Sequence, residues 1–185
     1  MSIVDDLGLG DRECVAIVGA GGKTTLLQTI GREAEGSNRR VILTTTTHMS
    51  PDQIGDPVVW SSDPREIDAA LEPGSPLAVA TRDHGHKIAG IEPADADRVF
   101  TETSVDWLVI EADGARRRPF KAPADHEPAV PSSATTVVVV AGIDALGHAP
   151  DEIAHRPELV ARLTGAAPTE PLTIDHMAAV LLDES

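Results

Sequence analysis

The chain has 185 residues, 41% of them apolar, with 15 Lys plus Arg against 30 Asp plus Glu and a formal charge of -15. That length and apolar content suit one domain with a real core and exclude collagen-like, disulfide-scaffold and fully disordered classes. The only aromatics are Trp60, Phe100, Trp107 and Phe120, so there is little to stack on bases, and so acidic a surface repels phosphate backbones; no nucleic acid partner is expected.

Only three lysines occur, Lys23, Lys87 and Lys121, while Asp is abundant. The pattern predicts a halophilic protein, whose self-repulsion is screened by concentrated salt. A single cysteine, Cys14, excludes an internal disulfide and a thiolate metal cage, and its place at the head of an apolar run predicts a buried small hydrophobe. The N-terminus is acidic where a secretory leader is basic, and no apolar stretch reaches spanning length. The expected compartment is the cytoplasm, with no membrane partner.

In chain order, short apolar runs predict strands over Cys14–Val18, Arg40–Thr44, Val58–Trp60, Leu77–Thr81, Trp107–Ile110 and Thr136–Ala141. Amphipathic stretches predict helices from Lys23 to about Glu35 and over Pro64–Leu71, Ala94–Thr103, Asp151–Thr164 and Ile174–Leu182. Such alternation is that of an α/β protein, a mostly parallel sheet flanked by helices, here like a P-loop NTPase. Between Leu77–Ala80 and Ile88–Ile91, Asp83-His84-Gly85-His86 reads as the turn of an antiparallel hairpin inserted at a sheet edge, its imidazoles exposed. Residues 1–185 are expected to form one nucleotide-binding domain. The Pro- and charge-rich stretch from Arg116 to Ser133 is a loop long enough to be functional or mobile.

The strongest motif is the first strand followed by Gly19-Ala20-Gly21-Gly22-Lys23-Thr24-Thr25 and a helix. Backbone N–H groups and the positive end of a helix dipole then converge on one point, which suits a phosphate. Lys23 reaches the terminal phosphates and the Thr24 hydroxyl serves Mg²⁺. Ile17 stands where the longer Walker turn has a glycine, so the turn is the short form and resembles that of Mur ligases. A dinucleotide reading fails twice, at Thr24 in place of a third glycine and at Thr44–Thr47 in place of an acidic residue. A glycine turn without ligand remains the bland alternative. Thr46 and Thr47, leaving the second strand, are candidate substrate contacts.

Trp107–Ile110 ends in Glu111-Ala112-Asp113-Gly114, and a carboxylate after a buried strand is the expected Mg²⁺ partner of such a loop. Glu111 and Asp113 share a face if the strand continues. Arg116, Arg117, Arg118 and Lys121 follow, four of the fifteen cations in six positions; Arg116 is a candidate catalytic residue with Lys23, Glu111 and Asp113, and the others are candidate contacts to an anionic substrate. His126 and His155 stand as alternatives for a general base or substrate contact.

These segments, with Pro119-Phe120-Lys121-Ala122-Pro123, His126-Glu127-Pro128, Gly142–Gly147 and His155-Arg156-Pro157-Glu158, resemble the YqeC family over nearly the whole chain. That family is described as accessory to selenium-dependent molybdenum hydroxylases. The resemblance implies a P-loop nucleotide-binding fold and a molybdenum hydroxylase, or an intermediate of its cofactor, as partner. Members usually continue into a further glycine- and lysine-bearing segment, which this chain is expected to lack. Its only asparagine is Asn38 and no lysine precedes an Asp by two places, so a guanine-reading Asn-Lys-x-Asp stretch is absent. The expected function is Mg²⁺-dependent binding of ATP or GTP by an NTP-hydrolysing accessory factor. The alternatives are a ligase or small-molecule kinase with a Mur-like loop, and a non-catalytic nucleotide-gated protein that binds a partner or delivers a cofactor.

Overall fold

A computed structural model describes residues 2–83, 85 and 87–183. The exposed-imidazole reading of His84 and His86 lies outside the described residues. In chain order the elements are α1 (Ile3–Asp6), β1 (Glu13–Gly19), α2 (Lys23–Ala34), β2 (Val41–Thr45), β3 (His48–Met49), β4 (Val58–Trp60), α3 (Pro64–Ala70), β5 (Leu77–Ala80), β6 (Arg82–Asp83), β7 (Ile88–Ala89), α4 (Pro93–Glu102), β8 (Trp107–Glu111), β9 (Phe120–Lys121), β10 (Thr136–Val140), α5 (Pro150–Ile153), β11 (Ala154–His155), α6 (Pro157–Thr164) and α7 (Ile174–Leu181).

Six strands form the main sheet in the order β10-β1-β8-β2-β5-β4. The pairs β1/β8, β8/β2, β2/β5 and β5/β4 are all parallel. Strands covered on both faces carry continuous apolar runs, and β2 and β8 are buried at every position. β10 lies at the edge and alternates instead, with Val137 and Val139 about half exposed. The chain is therefore α/β with a mostly parallel sheet flanked by helices, as expected. No described helix is long and apolar enough to cross a membrane.

The chain divides into two compact units. Residues 1–17, 24–113 and 129–138 form the first; residues 18–23, 114–128 and 139–185 form the second. Within the first, Met49, Ile54, Ala78, Ala80 and Ile88 make a small core of their own. Phe120, Ala154, Val160, Leu172, Met177 and Val180 lie in the core of the second, built from β9, β11, α6 and α7.

Two expectations are corrected. The hairpin arms are Arg82–Asp83 and Ile88–Ala89, and they join β3 in a separate three-stranded antiparallel sheet ordered β3-β7-β6, not the main sheet's edge. Gly90 fixes that arrangement, since its N–H donates to the Thr47 carbonyl and a Cβ there would lie 1.6 Å from the Thr45 oxygen. The helix expected over Asp151–Thr164 is broken at Ala154–His155, which pairs in parallel with Phe120–Lys121. The reason is Pro157, whose ring disfavours right-handed helical backbone at the preceding residue; Arg156 takes φ 63°, ψ 63° and a new helix starts at the proline.

Candidate functional site

In the second unit, the glycine turn leaving β1 is shaped by close backbone approach. Gly19 has φ +93°, and a Cβ there would stand 2.2 Å from the Val140 carbonyl oxygen, which accepts from the Ala20 N–H at 2.8 Å. Gly21 has φ +78°, and its Cβ would stand 2.5 Å from both the Gly142 nitrogen and the Pro119 oxygen. No side chain fits at either place, so the turn lies directly on residues 119 and 142. Gly21 and Gly22 are exposed. Lys23, 4% exposed, folds back over the turn and donates from Nζ to the Gly19 carbonyl at 2.6 Å.

In the first unit, Thr24 and Thr25 open α2, and the Thr24 hydroxyl donates to Glu111 Oε2 at 2.7 Å. Thr25 is exposed. Glu111 is the last residue of β8, which lies between β1 and β2, and is buried; Asp113 is buried as well. Because β8 ends at Glu111, strand alternation does not govern where Asp113 points.

The threonines that end and follow β2 are occupied in a way their sequence did not reveal. Thr44 donates to the Val79 carbonyl at 2.8 Å, Thr45 to the Glu111 carbonyl at 2.7 Å and Thr46 to the Ala129 carbonyl at 2.9 Å. Thr47 sits 3.1 Å, hydroxyl to hydroxyl, from Thr45. The Glu111 carbonyl also accepts the Thr46 N–H at 3.1 Å.

The basic run belongs to the second unit and does not act as one surface. Arg116, Arg117 and Arg118 are exposed, and Arg118 Nη1 donates to the Glu152 carbonyl. Lys121 points inward, donating to the Gly114 carbonyl at 2.9 Å and to Glu127 Oε2 at 2.7 Å. Arg156 grips the same carboxylate with both ends of its fork, at 2.7 and 3.0 Å. Burial alone would raise the Glu127 carboxyl, but the Arg156 and Lys121 hydrogen bonds and charges override it and hold it at about 2. Glu127 and Arg156 were overlooked as individual residues; the proline after each marked fixed backbone, but not the partner.

His155 is half-buried beside Lys121, its register partner in the β9/β11 pair. Burial first, then the charges of Arg156, Arg116 and Lys121, lower its pKa below the ordinary histidine value, with Glu127 opposing. His126 is exposed in the loop. A cavity of about 510 Å³ opens in the first unit between Gln28 and Arg32 of α2 and Gly74 and Pro76, and Thr24, Glu111 and Asp113 are not among its walls.

Residues 15–158 match the family model described as YqeC protein. Over 184 residues the chain is 36% identical to the uncharacterized protein YqeC of Escherichia coli (strain K12), covering 97% of this chain and 72% of that relative. No solved structure matches the chain.

Proposed function

Because the chain belongs to the YqeC family, we propose that it is a Mg²⁺-dependent nucleotide-binding protein that hydrolyses ATP or GTP, or transfers its phosphoryl group, in the service of molybdenum hydroxylase maturation. The observation that carries this reading is the 2.7 Å hydrogen bond between the Thr24 hydroxyl and Glu111. It joins the first turn of the helix after the glycine loop to the carboxylate that ends a central strand, the two oxygen donors Mg²⁺ uses at such loops. Among the described residues no three His, Cys, Asp or Glu side chains gather as a metal cage. A hard cation here would complete its shell from water and phosphate, as Mg²⁺ ordinarily does.

When bound, Mg²⁺ would neutralise phosphate charge and polarise the terminal phosphoryl group. The chain's own part is to orient and compensate. The backbone of exposed Gly21 and Gly22 and the N-terminus of α2 would offer partial positive charge to an anion, and Lys23 would exchange its bond to the Gly19 carbonyl for a phosphate oxygen. Buried Asp113 would hold the cation through water, while Arg116 compensates charge on the phosphates.

The test is equilibrium binding of ATP and GTP, with and without Mg²⁺, to the parent, Lys23→Ala and Thr24→Val chains. Loss of one charged hydrogen-bond donor predicts about 10- to 100-fold weaker binding for Lys23→Ala, and Thr24→Val should remove most of the Mg²⁺ dependence. Unchanged affinity in Lys23→Ala, or no binding of either nucleotide, would refute the proposal.

A further inference from the structure

The cavity of about 510 Å³ is walled wholly by the first unit and plays no part in the nucleotide reading. One wall is made by Gln28, Gly31 and Arg32 of α2, spaced to share a helix face, and by Glu35 just past its end. Gly31 stands in the helix interior, where glycine is a poor helix former. A Cβ there would come within 2.7 Å of Leu43 Cδ1, and Leu43 lines the cavity too. Glycine at this position spares Leu43 that contact.

The walls are pinned to one another. Gln28 Nε2 donates to the Gln53 carbonyl at 3.1 Å, which ties α2 to the segment carrying Ile54, Gly55 and Asp56. The Gly74 N–H donates to the Arg39 carbonyl at 2.8 Å and the Gly36 N–H to the Gly74 carbonyl at 2.9 Å, which holds the turn before β5 against the loop that leaves α2. A site kept open in this way needs little reorganisation to receive a ligand. Leu43, Ile54 and Ala78, all buried, give it an apolar lining.

The polar part of the lining has an excess of acceptors. Among the described residues none hydrogen-bonds or ion-pairs with the carboxylates of Glu35 and Asp56. Gln28 Oε1 likewise accepts from no described residue, its amide nitrogen being taken up by Gln53. Arg32 is the one cation of the lining, and it turns back along α2, with Nε on the Gln28 carbonyl at 3.3 Å and Nη2 on the Thr29 hydroxyl at 3.0 Å. Two carboxylates against one guanidinium leave the cavity acidic, in a chain whose formal charge of -15 already draws cations. We propose that the cavity binds a small organic cation, a primary ammonium group on an apolar body. The three N–H donors of the ammonium answer the acceptors of Glu35, Asp56 and Gln28, and the body covers Leu43, Ile54 and Ala78.

The test is amide NMR of the full chain titrated with phenethylammonium, with phenethyl alcohol, hydrocinnamate and methylammonium as neutral, anionic and bodiless comparisons. The amides of Gly31, Gly55 and Gly74 report on the cavity they line. Phenethylammonium should shift all three saturably and bind about fivefold more tightly than any comparison. Glu35→Gln and Asp56→Asn together, both at exposed positions that leave the core intact, should bring it within about twofold of the alcohol. Equal or tighter binding of the alcohol or of hydrocinnamate, which Arg32 would favour, overturns the cation; equal binding of methylammonium overturns the apolar body. A double variant that keeps the preference, or no saturable shift at the three glycines, overturns the site. None of these outcomes depends on nucleotide binding.

Discussion

Replacing Glu127 by Gln keeps the side chain's shape and removes the charge that Lys121 and Arg156 share. The carboxyl is held at about 2 against an ordinary 4.5, which corresponds to about 3 kcal/mol of stability. Since the folded-state pKa lies below the unfolded one, that contribution is complete above pH 4.5 and is lost as the pH falls through 2. At pH 7 the variant also denies a carboxylate to Lys121, whose side chain is 1% exposed, and removing one partner of a buried pair costs about 3–5 kcal/mol. The Gln carbonyl still accepts one hydrogen bond, so the lower end of that range is expected. Urea denaturation of both chains from pH 7 to pH 2 gives the measurement. The difference between them isolates Glu127, because the lowered carboxyls of Asp68 and Asp97 are common to both. The gap should be about 3 kcal/mol at pH 7 and under about 1 kcal/mol near pH 2. A gap below about 0.5 kcal/mol at pH 7, or one that does not change with pH, would refute the reasoning.

Gly21→Ala should cost about 3 kcal/mol or more, or prevent the second unit from folding, because its Cβ meets backbone atoms that cannot swing aside. Gly147, at φ +81° with nothing within 4 Å of a Cβ, is the control, and its Ala variant should lose only the backbone cost of about 1–2 kcal/mol. Equal losses on thermal denaturation would remove the steric explanation. Burial raises the fully buried Cys14 thiol to about 11, so alkylation by iodoacetamide at pH 8 should follow the rate at which the chain opens. Labelling within the mixing time under native conditions would contradict that burial.

What was legible in the sequence divides along the range of the interactions. The strands from Cys14, Leu77 and Trp107 and the helix from Lys23 were visible because each buries apolar residues that its own sequence declares. β9 and β11 were not, since strands of two residues exist only through a partner more than 30 positions away. Pro157 could have warned against a continuous helix from Asp151 to Thr164. In the candidate site, the proximity of Thr24 and Glu111 followed from loop and strand order, because parallel strands present their carboxyl ends together. Lys121 was grouped with its neighbours by charge alone, and no local pattern says that a lysine beside three exposed arginines turns inward to meet Glu127.

The threonine hydroxyls at the end of β2 have a thermodynamic consequence. A strand end whose last carbonyls face water samples several backbone states, and a ligand that needs one of them must bear the entropy of selecting it. Here Thr45 and Thr46 both bind the Glu111 carbonyl, while Thr44 and Thr46 secure Val79 and Ala129. The backbone that carries the Glu111 carboxylate is thereby ordered during folding, and a cation arriving there would find that part of the conformational search already complete.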